Sequence, residues 1–277
     1  AIKDGHEICS HGYRWINYHG FTKEQEREHM QRAIEIQDFI APDVIAGDSA
    51  PLVEAYRKAL QGHTGPRGLH GPFFGLDLSN PDAEIRAVIQ RRLLKGLEIA
   101  EALEATQMVL HSPFTYWNLL NRANYAFLQD AMFEAITECL APVLRRAAET
   151  GCMVVLENLD DTDPAVRVQL AERIGHPNLG VSLDTGHALL AHGRYNAPPV
   201  VDFIAAAGDQ LRHVHLQDAD GYADRHWHPG DGMICWAPVF DALAELAEMP
   251  RLILEVRGHK ERLPASVARL EARGLAC

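Results

Sequence analysis

Residues 181–188 read VSLDTGHA, a short apolar run that ends in an acid and is followed within three residues by a histidine. An apolar run that leads into an acidic residue recurs at residues 154–161 (VVLENLDD) and 252–256 (LILEV). In residues 213–232 (HVHLQDADGYADRHWHPGDG) histidines accompany the apolar residues. Apolar runs of this length are typical of buried parallel strands. These stretches therefore predict an α/β protein whose strands end in acidic residues and histidines.

Eight strand candidates of this kind alternate with helical patterns. They lie at residues 7–11, 35–39, 68–73, 108–113, 154–159, 180–184, 213–217 and 252–256. Apolar residues recur at helical spacing from Ile85 to Leu103, with Asn80 and Pro81 as the expected N-cap and first-turn pair. Further helices are expected near residues 22–35, 50–60, 125–150, 164–174, 200–207, 237–247 and 265–273. The alternation predicts an α/β fold, a (β/α)8 TIM barrel that forms one domain over residues 1–277.

Side chains that can ligate a metal lie at or just beyond the ends of the last six strands. They are His70, His111, Glu157, Asp184, His187, His215, Asp224, His226 and Glu255. In a (β/α)8 barrel the C-terminal strand ends meet at one mouth, where active sites are built. Acidic groups crowded at that mouth would repel one another unless cations were bound. The pattern therefore predicts a metalloenzyme that holds a divalent metal.

Composition limits the classes of partner. The formal net charge of −12 disfavours broad electrostatic binding to nucleic acid or to an anionic membrane. No apolar run reaches about 18 residues, so no membrane span or signal peptide is expected. The five cysteines (Cys9, Cys139, Cys152, Cys235 and Cys277) show no CxxC spacing, which favours a reducing cytoplasm over a disulfide framework. Spacing leaves homo-oligomerisation open.

Taken together, the four runs resemble the xylose isomerase-like TIM-barrel superfamily over residues 35–275. That superfamily includes sugar isomerases and epimerases, inosose dehydratases and the endonuclease IV class of AP endonucleases. The elements Asp-Thr-Gly-His at residues 184–187 and Asp-x-His-x-x-x-Gly-x-Gly at residues 224–232 are jointly specific. The closest resemblance is to sugar phosphate isomerase/epimerase-like proteins, whose seventh-strand loop reads much like this one.

The epimerase pattern implies one divalent ion (Mn, Zn, Co or Mg) held by four residues. These are Glu157, Asp184, His215 and Glu255. The two glutamates would act as catalytic acid and base on opposite faces of the substrate, while the metal stabilises the developing enediolate. His187 and Arg225 would hold substrate oxygens. The resemblance thus implies an isomerase or epimerase that acts on a small sugar, sugar phosphate or polyol.

The endonuclease pattern uses the same residues for three zinc ions. His70, His111 and Glu157 would hold one ion, the four-residue set above the second, and His187, Asp224 and His226 the third. Residues 158–162 lack the Gly-rich turn expected of that class, and acidic Asp160, Asp161 and Asp163 would repel a phosphate backbone. A small polyhydroxy substrate is therefore favoured over nucleic acid. A non-catalytic metal-binding barrel is the third alternative, which any measurable turnover would exclude.

Two loops offer further expectations. Phe114, Tyr116 and Trp117 follow His111, and they could stack on a sugar ring or form a packed lid or subunit contact. We take Phe114 and Trp117 as candidate substrate-binding residues. His228 and Asp231 are expected to shape their loop.

The N-terminal segment departs from this family. Residues 5–20 (GHEICSHGYRWINYHG) and 24–36 (EQEREHMQRAIEI) resemble allantoinase-like members of the polysaccharide-deacetylase superfamily. The deacetylase motif has a second histidine four residues after the first, but here Trp15 stands four residues after His11, so deacetylase metal binding is not predicted. Residues 1–36 are expected to form an atypical first βα unit, joined by natural fusion or deliberate recombination.

Overall fold

The computed structural model describes residues 8–11 and 33–273, whose strands form one sheet in chain order. The strands are β1 (Ile8–His11), β2 (Ala33–Ile36), β3 (Arg67–His70), β4 (Ala105–His111), β5 (Met153–Glu157), β6 (Leu179–Asp184), β7 (Leu211–Leu216) and β8 (Arg251–Leu254). β2 to β8 pair in parallel, and β1 pairs antiparallel with β2 and contacts β8. The predicted α/β barrel is confirmed, and it is nearly closed. The expectation that the first strand runs parallel to the others is wrong, because β1 is antiparallel to β2.

Helices connect the parallel strands. They are α1 (Pro42–Ala46), α2 (Ala50–Ala59), α3 (Ala83–Ala102), α4 (Tyr116–Leu120), α5 (Leu128–Thr150), α6 (Val166–Ile174), α7 (Thr185–Tyr195), α8 (Val200–Ala207), α9 (Trp236–Ala244) and α10 (Leu263–Ala272), with 3-10 turns at Gly208–Gln210 and Lys260–Arg262. The helix predicted near residues 22–35 runs into β2 at its C-terminal end, where the structure has a strand. Residues 12–32 lie outside the described residues.

The N-cap of α3 differs from the predicted one. The Asp82 carboxylate accepts hydrogen bonds from the backbone N–H groups of Glu84 (2.8 Å) and Ile85 (3.4 Å). Asn80 instead accepts from the backbone N–H of Asp82, at 2.9 Å. Asp82 wins because it directly precedes the first helical residue, where a side-chain oxygen reaches the unpaired N–H groups of the first turn.

Alternation along each strand separates two layers. Val154 and Leu156 belong to the large core between strands and helices, whereas Val155 lies outside it, although it is fully buried. Ala33 and Ile253 form a separate buried cluster. Successive strand residues point to opposite faces of the sheet. Val155, Ala33 and Ile253, and the residues two positions away from each in the same strand, therefore face the barrel axis. The axis-facing set ends at the mouth with the predicted ligands.

The described residues include three free cysteines, and none of the described helices spans a membrane. Cys139 and Cys152 are buried free thiols and Cys235 is an exposed one. Burial raises the pKa of Cys139 to about 11 and that of Cys152 to about 12, which makes both unreactive. Among the described helices, none is long and apolar enough to cross a membrane.

Candidate metal centre

The structure brings all nine predicted ligands together in three adjacent groups. In each group, ligand atoms lie within 4.8 Å of one another. The groups are His70, His111 and Glu157; Glu157, Asp184, His215 and Glu255; and His187, Asp224 and His226. Glu157 belongs to two groups, so a carboxylate in the middle of the mouth could bridge two cations.

Strand register places the ligands side by side. His111 at the end of β4 pairs with Glu157 at the end of β5, and Asp184 at the end of β6 pairs with His215 on β7. The His215 Nδ1 atom lies 3.0 Å from Glu157 Oε1 and 3.3 Å from Glu255 Oε2. Three members of the central group therefore lie within strands, and the fourth, Glu255, directly follows β8.

Asp184 is held in place by its neighbours on both sides. It caps α7, because its Oδ1 accepts from the His187 backbone N–H at 2.6 Å. The Asn158 side chain donates to the Asp184 carbonyl (3.0 Å) and accepts from the Asp184 N–H (2.8 Å). His187 Nδ1 lies 2.9 Å from the Asn158 carbonyl, so Asn158 orients two predicted ligands at once.

Gln217 connects the second and third groups. Its Nε2 donates to Asp184 Oδ1 (3.0 Å) and Asp224 Oδ1 (3.2 Å), and its Oε1 accepts from the His226 N–H (3.0 Å). A Cβ on Gly186 would lie 2.2 Å from the Gln217 side chain, so the glycine of Asp-Thr-Gly-His makes room for this residue. Sequence reasoning missed Gln217 and Asn158, although each lies one or two residues after a predicted ligand.

The seventh-strand loop is built around buried Asp218. Its carboxylate accepts from the backbone N–H groups of Gly230 (2.8 Å) and Ile234 (3.0 Å) and from Trp236 Nε1 (2.9 Å). A Cβ at Gly232 would lie 2.4 Å from Asp218 Oδ1 and from a backbone carbonyl, which explains the need for glycine. These bonds shape the loop that carries Asp224 and His226.

The two residues expected to shape the same loop do contact it and the last helix. His228 Nδ1 lies 2.6 Å from the Ser266 hydroxyl, and Asp231 pairs with Arg262 (2.7 Å) and Arg269 (2.8 Å). The loop is thereby attached to the C-terminal part of the barrel.

Two carboxylate oxygens at the centre fit a cation. Glu157 Oε2 and Asp184 Oδ2 are buried and accept no hydrogen bond from any described residue. Burial, together with the Glu157 and Glu255 carboxylates, raises the pKa of Asp184 to about 7, against the opposing effect of His187 and His226. Unpaired buried oxygens are costly, and a divalent ion would satisfy both. The donor set, carboxylate and imidazole, suits Zn²⁺, Mn²⁺ or Co²⁺.

The histidines differ in charge. Burial lowers the pKa of His215, but Glu255, Glu157 and Glu35 outweigh it and hold that pKa well above its ordinary value. Burial and neighbouring His70 lower the pKa of His111 to about 3, so its imidazole is neutral and ready to ligate. Without a metal, protonated imidazole balances the central carboxylates.

A cavity of about 800 Å³, lined by described residues, lies above the ligands. Its lining includes His70, Glu157, His187 and other predicted ligands, together with Phe73, Phe74, Leu76 and polar Asn118. Phe73 stacks on His111 with ring centroids 3.9 Å apart. The cavity therefore combines metal ligands with aromatic side chains suited to the C–H face of a carbohydrate.

Of the four predicted substrate-binding residues, His187 lines the cavity, whereas Phe114, Trp117 and Arg225 lie outside it. Phe114 is 1% exposed and packs on Phe133 at 5.7 Å, so it belongs to the core rather than to a sugar-binding surface. Trp117 is half-exposed and stacks on Tyr125. Arg225 pairs with Asp220 and lies over Trp227. None of these three side chains is part of the cavity wall.

The acidic mouth expected to repel phosphate is smaller than predicted. Asp161 is fully buried, accepts from the Ser112 hydroxyl at 2.6 Å and lies 3.7 Å from the Arg167 guanidinium. Burial raises the pKa of Asp161 to about 6 despite that arginine. Asp163 pairs with Arg122 at 2.6 Å. Of the three aspartates, only half-buried Asp160 has no arginine beside it among the described residues. Charge repulsion therefore argues little against a phosphoester substrate.

Residues 10–274 match the family model described as xylose isomerase-like TIM barrel, and the chain therefore belongs to this family. Fructoselysine 3-epimerase of Escherichia coli O157:H7 is 47% identical over 202 residues, 69% of this chain and 67% of that protein. Probable endonuclease 4 of Symbiobacterium thermophilum is 29% identical over 229 residues, 78% of this chain and 80% of that protein. Relatives thus include both an epimerase and an endonuclease.

A solved structure agrees with the fold. The TTHB071 protein of Thermus thermophilus, soaked with ZnCl2, superposes with a TM-score of 0.63 and 31% identity, covering 87% of each chain. Three further curated relatives carry no assigned function, and the chain spans only 60%, 59% and 61% of their lengths. The IOLI protein, whose structure contains a zinc atom, superposes with a TM-score of 0.62 at 16% identity, covering 92% of this chain and 91% of that chain, which shows a likeness in fold.

The deacetylase-like interpretation of residues 1–36 is not supported. The family match begins at residue 10, so most of that segment belongs to the barrel family. Residues 1–7 and 12–32 lie outside the described residues, and with them Trp15 and the side chain of His11.

Proposed function

We propose that the chain is a divalent-metal-dependent isomerase or epimerase that acts on a small sugar, sugar phosphate or polyol. One observation carries the proposal. Glu157 and Glu255, from different strands, both approach the same nitrogen of His215 in a buried four-residue group with Asp184. Two carboxylates on separate strands beside one cation are the groups needed to remove and return a proton. The 47% identity to a fructoselysine 3-epimerase supports the same chemistry.

The chain's own residues divide the work. A cation held by Glu157, Asp184, His215 and Glu255 would polarise substrate oxygens and favour negative charge beside the reacting carbon. One glutamate removes the C–H proton from a carbon beside a carbonyl, so that the electron pair moves onto the carbonyl oxygen; the other returns a proton to the opposite face of that carbon, and the carbonyl re-forms. Gln37 Nε2 donates to Glu255 Oε1 at 2.5 Å, which orients that carboxylate. His187, at the cavity wall, binds a substrate oxygen.

A second candidate function is phosphodiester hydrolysis of the endonuclease IV type. It is favoured by the assembly of all three ligand groups and by the 29% identity to a probable endonuclease 4. The epimerase proposal takes precedence because the more similar relative is an epimerase and the net charge is −12. A non-catalytic barrel is the third candidate.

Metal content in two variants tests how many groups hold an ion. His70 and His226 belong to the two outer groups, while neither belongs to the central one. If only the central group is occupied, as we expect, His70→Ala and His226→Ala each retain one tightly bound metal and lower activity through substrate positioning. Elemental analysis of the dialysed proteins gives the count. Loss of one metal per variant from a three-metal wild type would instead indicate the endonuclease-type cluster.

Paired activity assays test the function itself. Purified protein, loaded in turn with manganese, cobalt, zinc or magnesium, is offered a panel of ketoses, polyols and their phosphates, and separately an abasic DNA duplex. We expect isomerisation or epimerisation of at least one polyhydroxy substrate and no specific DNA cleavage. Specific cleavage without sugar turnover contradicts the proposal, and no turnover in either assay favours the non-catalytic barrel.

A further inference from the structure

Strand β2 supplies no residue to the three predicted ligand groups, yet two of its axis-facing side chains contact them. Glu35 lies within β2 and Gln37 directly follows it. The two residues are two positions apart, so they share one face, and both are buried. Gln37 holds Glu255, as described above. Glu35 lies deeper on the axis, 1% exposed, and it does not line the cavity. A buried carboxylate that cannot reach substrate needs a partner within the protein.

Both oxygens of Glu35 face histidines of β7. Oε1 lies 2.8 Å from His215 Nε2, and Oε2 lies 3.2 Å from His213 Nε2. His213 is anchored in turn, because its Nδ1 lies 2.8 Å from the Ser182 hydroxyl. All four side chains are at most 1% exposed. The contacts run from Ser182 through His213 and Glu35 to His215 in the predicted metal group. The first and last are hydrogen bonds, and the middle one is the 3.2 Å approach of His213 to Glu35.

The two ring nitrogens of His215 thus face different partners. Nδ1 faces Glu157 and Glu255 in the central group, whereas Nε2 faces Glu35. A neutral imidazole can ligate through one nitrogen only if the other carries the proton. A carboxylate that accepts this N–H holds the required tautomer, fixes the ring and makes the ligating nitrogen more basic.

We propose that Glu35 is a positioning residue that holds His215 with its proton on Nε2, so that Nδ1 is presented to the metal. This deepens the proposed function and rests on metal binding by the central group. The second oxygen of Glu35 lies 3.2 Å from His213 Nε2, an approach at ion-pair distance that does not meet hydrogen-bond geometry. The two histidine contacts distinguish Glu35 from a buried acid that serves only to fill the barrel axis.

Zinc affinity of Glu35→Gln tests this role without reference to any substrate. The amide keeps the size of the side chain but presents a weaker, neutral acceptor to His215. Loss of such a ligand partner lowers metal affinity by about 10- to 100-fold. We expect that loss in competition titrations against a chelator, with one zinc still bound at saturation. Glu138→Gln is the control, since Glu138 is an exposed carboxylate on α5 that pairs with Arg86, and this variant should bind zinc as wild type does.

A measurement on the unaltered protein covers the case in which Glu35→Gln does not fold. Nitrogen-15 NMR of histidine-labelled, zinc-loaded wild type reports which imidazole nitrogen is metal-bound and which is protonated. We expect Nδ1 of His215 on zinc and a proton on Nε2. Zinc on Nε2, a cation held between Glu35, His213 and His215, or wild-type zinc affinity in folded Glu35→Gln would each overturn the proposal. Failure of the proposed function would look different: zinc binding would show the Glu35 dependence while no sugar is turned over.

Discussion

Glu157→Gln and Glu255→Gln are each expected to lower turnover by about 10²- to 10⁴-fold, the usual contribution of a positioned proton-transfer group. Glutamine keeps the shape of the side chain but loses its charge and its basicity. Glu157 is 1% exposed and is shared by two ligand groups, so its substitution should also weaken metal binding. For Glu255, part of the loss should persist at saturating metal, because proton transfer is removed as well as a ligand.

Steady-state kinetics at saturating metal, with far-UV circular dichroism to verify folding, measure this effect. Glu138→Gln is a suitable control, since Glu138 is an exposed carboxylate on α5 that pairs with Arg86 at 2.7 Å, remote from the ligands. It should leave turnover unchanged. A folded Glu157→Gln protein with near wild-type turnover would disprove the proposed mechanism.

Metal removal should destabilise the protein, and the effect should grow with pH. In the metal-free protein burial raises the pKa of Asp184 to about 7, and nearby carboxylates, outweighing burial, raise the pKa of His187 and His215 well above the ordinary value. Between pH 6 and 8 the folded state therefore binds more protons than the unfolded state, so the stability of the metal-free protein falls as pH rises. A cation reverses this trend, because its ligands must be deprotonated.

Thermal unfolding with EDTA, and with zinc at one fixed concentration of about 1,000 times its Kd at pH 7, provides the measurement. Such a ligand stabilises by about 4 kcal/mol, which corresponds to a Tm increase of roughly 10 °C for a domain of this size. We expect the zinc-dependent increase in Tm to be larger at pH 8 than at pH 6. Equal increases at both values, or a larger one at pH 6, would contradict cation binding by deprotonated ligands of the central group.

Much of the candidate site could be predicted from the sequence, because the ligands follow a rule of geometry. Once apolar runs are taken as parallel strands, residues at their C-terminal ends must converge, as His111 and Glu157 do through direct register. The grouping of all nine ligands followed from the resemblance, and the structure places the same three groups together. The one-domain organisation stays a prediction.

Contacts that depend on three-dimensional packing could not be predicted. Phe114 follows a ligand closely, but the turn into α4 directs it into the core against Phe133. Asp161 reads as a surface acid, yet Arg167 and Ser112 accommodate it inside. The sequence places Glu35 in a predicted strand but indicates no role for it, because its partner His215 lies 180 residues away in the chain. Long-range side-chain pairs of this kind leave no local pattern.

Solvent-deuterium incorporation distinguishes proton transfer at carbon from hydrolysis. Removal and return of a C–H proton allow exchange with water, whereas phosphodiester hydrolysis does not. The metal-loaded protein is incubated in D₂O with a panel of ketoses and sugar phosphates, and the carbon-bound protons are followed by NMR, with Glu157→Gln as the control. We expect deuterium at a carbon beside the carbonyl with wild type and none above background with the variant. Efficient nicking of abasic DNA by the same preparation, without exchange in any sugar, would contradict the proposed isomerase or epimerase function.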